Sequence, residues 1–461
     1  MSDPVLSVEE MRAAEHAAVA SGVSEWELMQ RAGQGAANWV MRMAAGRPVT
    51  VLCGPGNNGG DGYVIASVLH RKGYAVKVIA PEEPGTETAR KARSAFDGPV
   101  YAEADFDDAV IVDCLFGYGL SRPVEGEFAK ILDDLAVSHC SKIAVDVPSA
   151  VASDDGEILG PLPQYDLTLA LGAWKHAHFL MPSMTAMGVR RLVDIGLDCA
   201  TGSAFLAQRP ILAPPAADAH KYRRGLVAIV AGAMPGAPLL SAEAAMRSGA
   251  GYVKLFSDHS DPDAPAELVV EQGDLEDLVQ DDRISAFLIG PGLGRDRQSR
   301  DRLALVLSAA KPTVIDADAL HLLDRKLLNS RCLSETLVTP HEGELNALCE
   351  NFGVSGRNKL CRAQNLHAAS GLTVLAKGPD TVLASGGTTR FFQPGTSWLS
   401  TAGTGDVLAG IVASRLALHG DTMRAAEEGV WLHHEAARLA SPAFSAGDLA
   451  RAVKPAMASF L

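Results

Sequence analysis

Short apolar runs recur along the chain, bounded by glycine or polar turns and alternating with longer helical stretches. Runs at 49–53, 75–80, 109–114, 142–146 and 167–171 are the length of buried strands, and such a series predicts a parallel sheet covered on both faces. This alternation ends near Ile195 and Gly196, and a second one occupies 226–231, 252–256, 286–290, 313–316, 336–338 and 372–376. Helices are expected after the first strand at about 60–72, and later at 242–248, 301–308 and 342–349. Ser7-x-x-Glu10 and Ser24-x-x-Glu27 have the spacing of capping boxes and predict two helix starts near the N-terminus. Segments 382–384 and 389–392, joined by Ser385-Gly386-Gly387-Thr388, predict a β-hairpin. Prolines at 210, 214 and 215 place a domain boundary in the 208–225 stretch. The expected fold class is α/β, with two tandem three-layer αβα domains at 1–208 and 209–461.

Composition narrows the partners. The 461 residues are 47% hydrophobic, enough for two cored domains, and the formal charge of −14 argues against nucleic acid or an anionic membrane. A phosphate ligand would depend on backbone N–H groups, an occasional lysine and metal ions. Cysteines at 53, 114, 140, 199, 332, 349 and 361 form no CxxC pair, which predicts reduced thiols in a cytoplasmic protein. The N-terminus is acidic and has no long apolar core, so no signal peptide is expected there. The longest uncharged stretch, 225–242, contains three glycines and two prolines, which speaks against a membrane span.

Candidate chemistry gathers at glycine turns. The stretch 401–410, with Gly403, Gly405 and Asp406, runs straight into an apolar helix. Glycines admit a ligand close to the backbone, and a helix start offers unpaired N–H donors to a phosphate. Asp406 then reads either as a helix cap or as a base beside that phosphate. In the first domain Gly54, Gly56 and Gly59 satisfy GxGxxG after a strand, with Glu82 or Glu83 at the end of the next, which suits a dinucleotide site. Asn57, Asn58 and Asp61 enrich that loop with oxygens fit for a hard cation or a ligand hydroxyl. Asp113 and Asp146 stand at two further strand ends, and Arg122 is a candidate phosphate partner.

The loop NNGGDG (57–62), the stretch DCLFGYGLSRPVEG (113–126), DVPS (146–149) and DLTLALG with Lys175 together resemble the NAD(P)H-hydrate epimerase domain, of Rossmann-like fold. The resemblance implies that Asn57, Asn58, Gly59, Gly60 and Asp61 hold the hydrated nicotinamide nucleotide. It implies the same of Gly117, Tyr118, Gly119, Leu120, Ser121, Arg122 and Pro123. Asn58, Asp113 and Ser149 would coordinate a potassium ion, and Asp146 would contact the substrate as acid/base, exchanging the R and S hydrates at C6. The family usually has glycine where this chain has Ala150, a position often needing positive φ.

The second domain carries His220-Lys221, GAPLLSAEAAMRSGAGYVKL (236–255), GPGLG (290–294), DADAL (316–320), TPHEGE (339–344) and AGTGDVLAG (402–410). It is similar to the ribokinase-like ADP-dependent NAD(P)H-hydrate dehydratases. The resemblance implies substrate contacts at Ala237, Gly294, His341 and Asp406, with ADP at Lys377, Gly378, Pro379, Asp380, Thr381 and Gly405. Asp406 would be the base, and Mg2+ would accompany the nucleotide, with Asp316 and Asp318 either assisting or capping. Arg223 and Arg224, inserted in the usual His-Lys-Gly approach, and Pro238 depart from the family pattern. The resemblance further implies a cytoplasmic homo-oligomer whose partners are NADHX, NADPHX and ADP. Two other readings stay open: a vitamin or sugar kinase in the second domain, and a non-catalytic binding module in the first. His341, Glu342 and Glu344 match no common zinc spacing, and of the adjacent His433 and His434 one is expected packed and the other solvated.

Overall fold

The computed structural model describes residues 3–104, 106, 109–199, 202–258, 264–328 and 335–461; Cys332 lies outside them. The chain divides between Leu206 and Ala207 into two units.

The first unit contains β1 (Val5–Leu6), β2 (Val49–Cys53), β3 (Val76–Ile79), β4 (Val100–Tyr101) and β5 (Val110–Cys114). It continues through β6 (Ser141–Val145), β7 (Leu167–Leu171), β8 (Trp174–Lys175), β9 (Val189–Val193) and β10 (Ala204–Leu206). Its main sheet is parallel, in the order β4-β3-β2-β5-β6-β7-β9. Five helices accompany it: α1 (Val8–Ala20), α2 (Glu25–Ala44), α3 (Asn57–Arg71), α4 (Glu87–Ser94) and α5 (Gly126–Val137). Ser7 and Glu10 close a full capping box on α1. Ser24 caps α2 through the Glu27 N–H, while the Glu27 carboxylate pairs instead with Arg31 at 2.5 Å. β2 and β5 are buried along their whole length, as the unbroken apolar runs require of strands covered on both faces.

The second unit contains β11 (Leu226–Val230), β12 (Tyr252–Phe256), β13 (Val269–Glu271), β14 (Ala286–Ile289) and β15 (Thr313–Ile315). It ends with β16 (Thr336–Val338), β17 (Thr373–Ala376), β18 (Val382–Ser385) and β19 (Thr388–Phe391). Within the unit the order is β19-β18-β17-β16-β15-β14-β11-β12-β13, with antiparallel pairing only at β17–β18–β19. The hairpin turns at Gly386 (φ 55°) and Gly387 (φ 74°), the two positive-φ positions of a type I′ turn. Helices α6 (Gly236–Arg247), α7 (Leu275–Val279), α8 (Arg297–Ser308), α9 (Asp318–Leu322) and α10 (Glu342–Phe352) are followed by α11 (Lys359–Ser370), α12 (Thr404–His419), α13 (Thr422–Ala440) and α14 (Ala446–Ala458). Among the described residues no helix is long and apolar enough to cross a membrane.

Each sheet reverses its winding once, between β2 and β5 and between β11 and β14, and ligands of such sheets bind beyond the strand ends at that point. Glycine lets the two loops there meet. A Cβ on Gly54 would sit 1.9 Å from the Leu115 carbonyl oxygen, and one on Gly232 would sit 2.0 Å from that of Leu293. The glycine-rich stretch after β2 is also less of a loop than expected, because α3 starts at Asn57 and not near residue 60. Gly59 enters that first turn because it packs on Gly54, whose carbonyl oxygen a Cβ would approach to 1.9 Å. Gly54→Ala should therefore lower the stability of the first unit by about 1–3 kcal/mol, the usual range for overpacking. Gly56→Ala, where a Cβ meets nothing within 4 Å, should leave the denaturant midpoint nearly unchanged.

Two candidate active sites

The first site forms at the switch point of the first unit, around a cavity of about 590 Å³. Asp146 follows β6 with φ 71°, a conformation that costs a non-glycine residue about 1–3 kcal/mol and persists only where neighbours hold it. Three contacts do so. The Lys175 ammonium lies 2.5 Å from Oδ1, and the Tyr118 N–H donates to Oδ2 at 2.8 Å. His178 Nδ1 accepts the Lys175 N–H at 2.9 Å, so Nε2 carries the proton and donates to the Asp146 carbonyl at 2.8 Å. Burial pushes the His178 pKa down to about 4, which keeps the ring neutral for this role.

Asn57, Asn58, Asp61, Gly117, Tyr118, Gly119, Leu120, Ser121, Arg122 and Asp146 all line the cavity; Gly59, Gly60 and Pro123 do not. Asp61 is held well above the usual carboxylate range, by burial first and then by the charges of Asp146 and Glu15. Asp113 lies behind the cavity wall. It accepts from Ser149 Oγ at 2.7 Å, Tyr165 at 2.5 Å and the Leu115 N–H at 3.1 Å, yet burial still raises its pKa. Next to Ser149, Ala150 adopts φ 70° and is fully buried, so the alanine occupies the left-handed region that favours glycine. Sequence reasoning missed Glu15 and gave Lys175 no role. Glu15 sits on an N-terminal helix whose alanine-rich pattern carries no chemical signal, whereas the buried lysine after β7 was visible as a charge in an apolar segment.

The second site collects side chains from four separate elements. Asp316 follows β15, Glu344 lies in α10, Lys377 follows β17, and Asp406 stands in the first turn of α12. Lys377 Nζ is 2.6 Å from Asp316 Oδ1 and 4.0 Å from Glu344 Oε2. The Asp406 pKa is pushed up to about 6, by burial first and then by the Asp316 charge, with Lys377 opposing. Gly403 (φ 88°) precedes α12 without a side-chain cap; the Thr404 N–H goes to the Thr401 carbonyl at 3.3 Å, and the N–H groups of Gly405 and Asp406 are those a helix start leaves for a ligand. Ser241 Oγ donates to the Asp406 carbonyl at 2.8 Å, and Gly410 lets α6 come close, since a Cβ there would be 2.1 Å from the Ser241 oxygen.

The other expected residues have local partners. His341 caps α10, its Nδ1 accepting from Gly343 and Glu344 at 3.0 and 3.2 Å, and its side chain is 62% exposed. The Gly294 N–H donates to Asp318 at 3.0 Å, and Ala237 lies in the first turn of α6. Thr381 Oγ1 closes on the Gly378 carbonyl at 2.7 Å, and Asp380 pairs with Lys359. His433 is the packed member of its pair, buried on the Thr404 carbonyl at 2.9 Å, while His434 is half-buried next to Gly395 and not fully solvated; burial lowers their pKa values to about 3 and about 4.

Comparison with known proteins covers both units. A family profile described as YjeF-related protein N-terminus matches residues 25–177, and one described as NAD(P)H-hydrate dehydratase matches 227–457. The Bifunctional NAD(P)H-hydrate repair enzyme Nnr of Thermosynechococcus vestitus is 31% identical, over 94% of this chain and 92% of its own. Its counterpart from Hyperthermus butylicus is 33% identical, over 91% and 85%. A crystal structure of the ADP/ATP-dependent NAD(P)H-hydrate dehydratase from Bacillus subtilis, co-crystallized with ATP/Mg2+, is 26% identical over 54% of this chain and 95% of that one, with TM-score 0.48. With similarity running through both units and both sites, the chain belongs to the family of bifunctional NAD(P)H-hydrate repair enzymes.

Proposed function

We propose that the first unit exchanges the R and S hydrates of NADH and NADPH through Asp146, and that the second returns the S hydrate to NAD(P)H at the expense of ADP. The observation that carries this reading is Asp406, a half-buried carboxylate of raised pKa at an uncapped helix start, beside Lys377. Hydroxide is a poor leaving group. Asp406 takes the proton of the C6 hydroxyl as its oxygen attacks the terminal phosphorus of ADP, and the bond to AMP breaks. Phosphate then leaves C6 with help from the ring nitrogen lone pair, and loss of a C5 proton restores the reduced ring. The amides of the Gly403–Gly405 turn stabilise the charge on the moving phosphoryl group. Ala237, Gly294 and His341 are assigned to the hydrate, and residues 377–381 with Gly405 to the nucleotide.

The metals follow from the donors present. Asn58 Oδ1 is buried with no partner and is the open oxygen of the potassium set; Asp113 and Ser149, bonded to each other at 2.7 Å, would turn to the ion when it binds and orients the nucleotide loops. Asp318 is already paired with Arg295 at 2.8 Å and Asp316 with Lys377, so neither offers a free ligand. Mg2+ would be carried on the phosphates, neutralising their charge. The described cysteines are free, in keeping with the proposed cytoplasmic location; a homo-oligomer is proposed as well.

Mixed hydrates incubated with ADP should return the near-ultraviolet absorbance of the reduced ring completely, with one AMP released per ring restored. Accumulation of a stable phosphorylated product would instead assign the second unit to the kinases.

A further inference from the structure

Glu15 stands on α1, ahead of the 25–177 segment that the family profile matches, yet it lines the same cavity as Asp146. Tyr118 joins the two carboxyl groups: its backbone N–H holds Asp146 Oδ2 at 2.8 Å, and its hydroxyl donates to Glu15 Oε2 at 2.7 Å. Lys175 pairs with Asp146 and lies 5.4 Å from the Tyr118 ring centre. We propose that Glu15 is a second acid/base residue of hydrate epimerisation, working on the opposite side of the ring from Asp146.

The inference rests on the assignment of Asp146 to that reaction. Inverting C6 needs one group to protonate the departing hydroxyl and another to deprotonate the water that adds from the other face. The Glu15 carboxyl gives its proton to the C6 hydroxyl, the C–O bond breaks, and water leaves with the electron pair. The ring nitrogen lone pair becomes the N1=C6 double bond. A water molecule then adds to C6 from the far face and passes a proton to the Asp146 carboxylate. One proton enters and one leaves; for the other epimer the two carboxyl groups exchange roles.

The surroundings suit a carboxyl group that keeps its proton. Burial raises the Glu15 pKa against the Tyr118 hydrogen bond, with Lys175 and His16 lowering it and Asp146 raising it. Arg12, on the same helix, and Asp61, on α3, also face the cavity. Asp146, in contrast, is paired with the Lys175 ammonium at 2.5 Å.

Glu15→Gln keeps an oxygen for Tyr118 but removes the proton. In the full-length protein it should lower kcat for R/S exchange about 100-fold, the low end for general acid–base catalysis, with KM within about threefold. One limb of the pH–rate profile should disappear, and Glu15→Asp should recover part of the rate. Dehydration of S hydrate by the second unit of the same sample is the control for intact protein. Exchange by Glu15→Gln within threefold of wild type would overturn the proposal, as would a raised KM with both pH limbs intact. Asp146→Asn, run alongside, separates the two readings: its wild-type exchange would remove the Asp146 assignment, whereas unchanged exchange in Glu15→Gln alone removes only Glu15.

Discussion

Asp406→Asn leaves R/S exchange intact and slows restoration of NAD(P)H from the S hydrate by about 100- to 10,000-fold, the range for losing a positioned base. The amide is nearly the same size and keeps the α12 start, so the loss reads out proton abstraction and not folding. The first unit, which contains Asp146 and the lined cavity, is untouched by the change. The wild-type pH dependence follows from the same group. Burial and the neighbouring carboxylates raise the Asp406 pKa to about 6, and only the ionised form can accept a proton. Dehydration kcat/KM should therefore be flat above about pH 7 and fall tenfold per unit below 6, the free-enzyme limb. Asp406→Asn lacks that limb. Dehydration at the wild-type rate in this variant would remove Asp406 from the chemistry.

Asp146→Ala has the complementary result. The S hydrate is repaired at the normal rate, while the R hydrate persists at its uncatalysed rate of exchange, so a mixed sample stalls part-way. Removing the carboxylate leaves the Lys175 ammonium without its 2.5 Å partner in a fully buried position. Such an unpaired charge is costly, and a lower denaturant midpoint for the first unit should accompany the loss. Complete consumption of mixed hydrates by Asp146→Ala, followed by chromatographic separation of the epimers, would count against its assignment.

Much of both sites was legible. The strand runs, the glycine turns at 54–60 and 401–405 and the carboxylates at the ends of β5 and β6 are local signals, readable because each reflects the needs of a few neighbouring residues. Gly54 is also required by the Leu115 backbone beside it, a constraint that appears only once β2 and β5 are adjacent, and Gly59 by the Gly54 backbone it packs on. From the sequence, one of His433 and His434 is expected to be solvated, because two neighbouring positions on a helix point in different directions; the chain near Gly395, remote in sequence, partly covers His434.

By itself the sequence determined the α/β alternation, the two-unit plan and the chemical types available at each strand end, since apolar runs and turn residues act over a few positions. Tertiary structure alone decided the partnerships: Tyr118 between Glu15 and Asp146, and Lys377 between Asp316 and Glu344, with Asp406 close enough to feel all three charges. Those groups are tens to more than a hundred residues apart in the chain. Their protonation depends on distance and burial, which sheet order sets and local sequence does not encode.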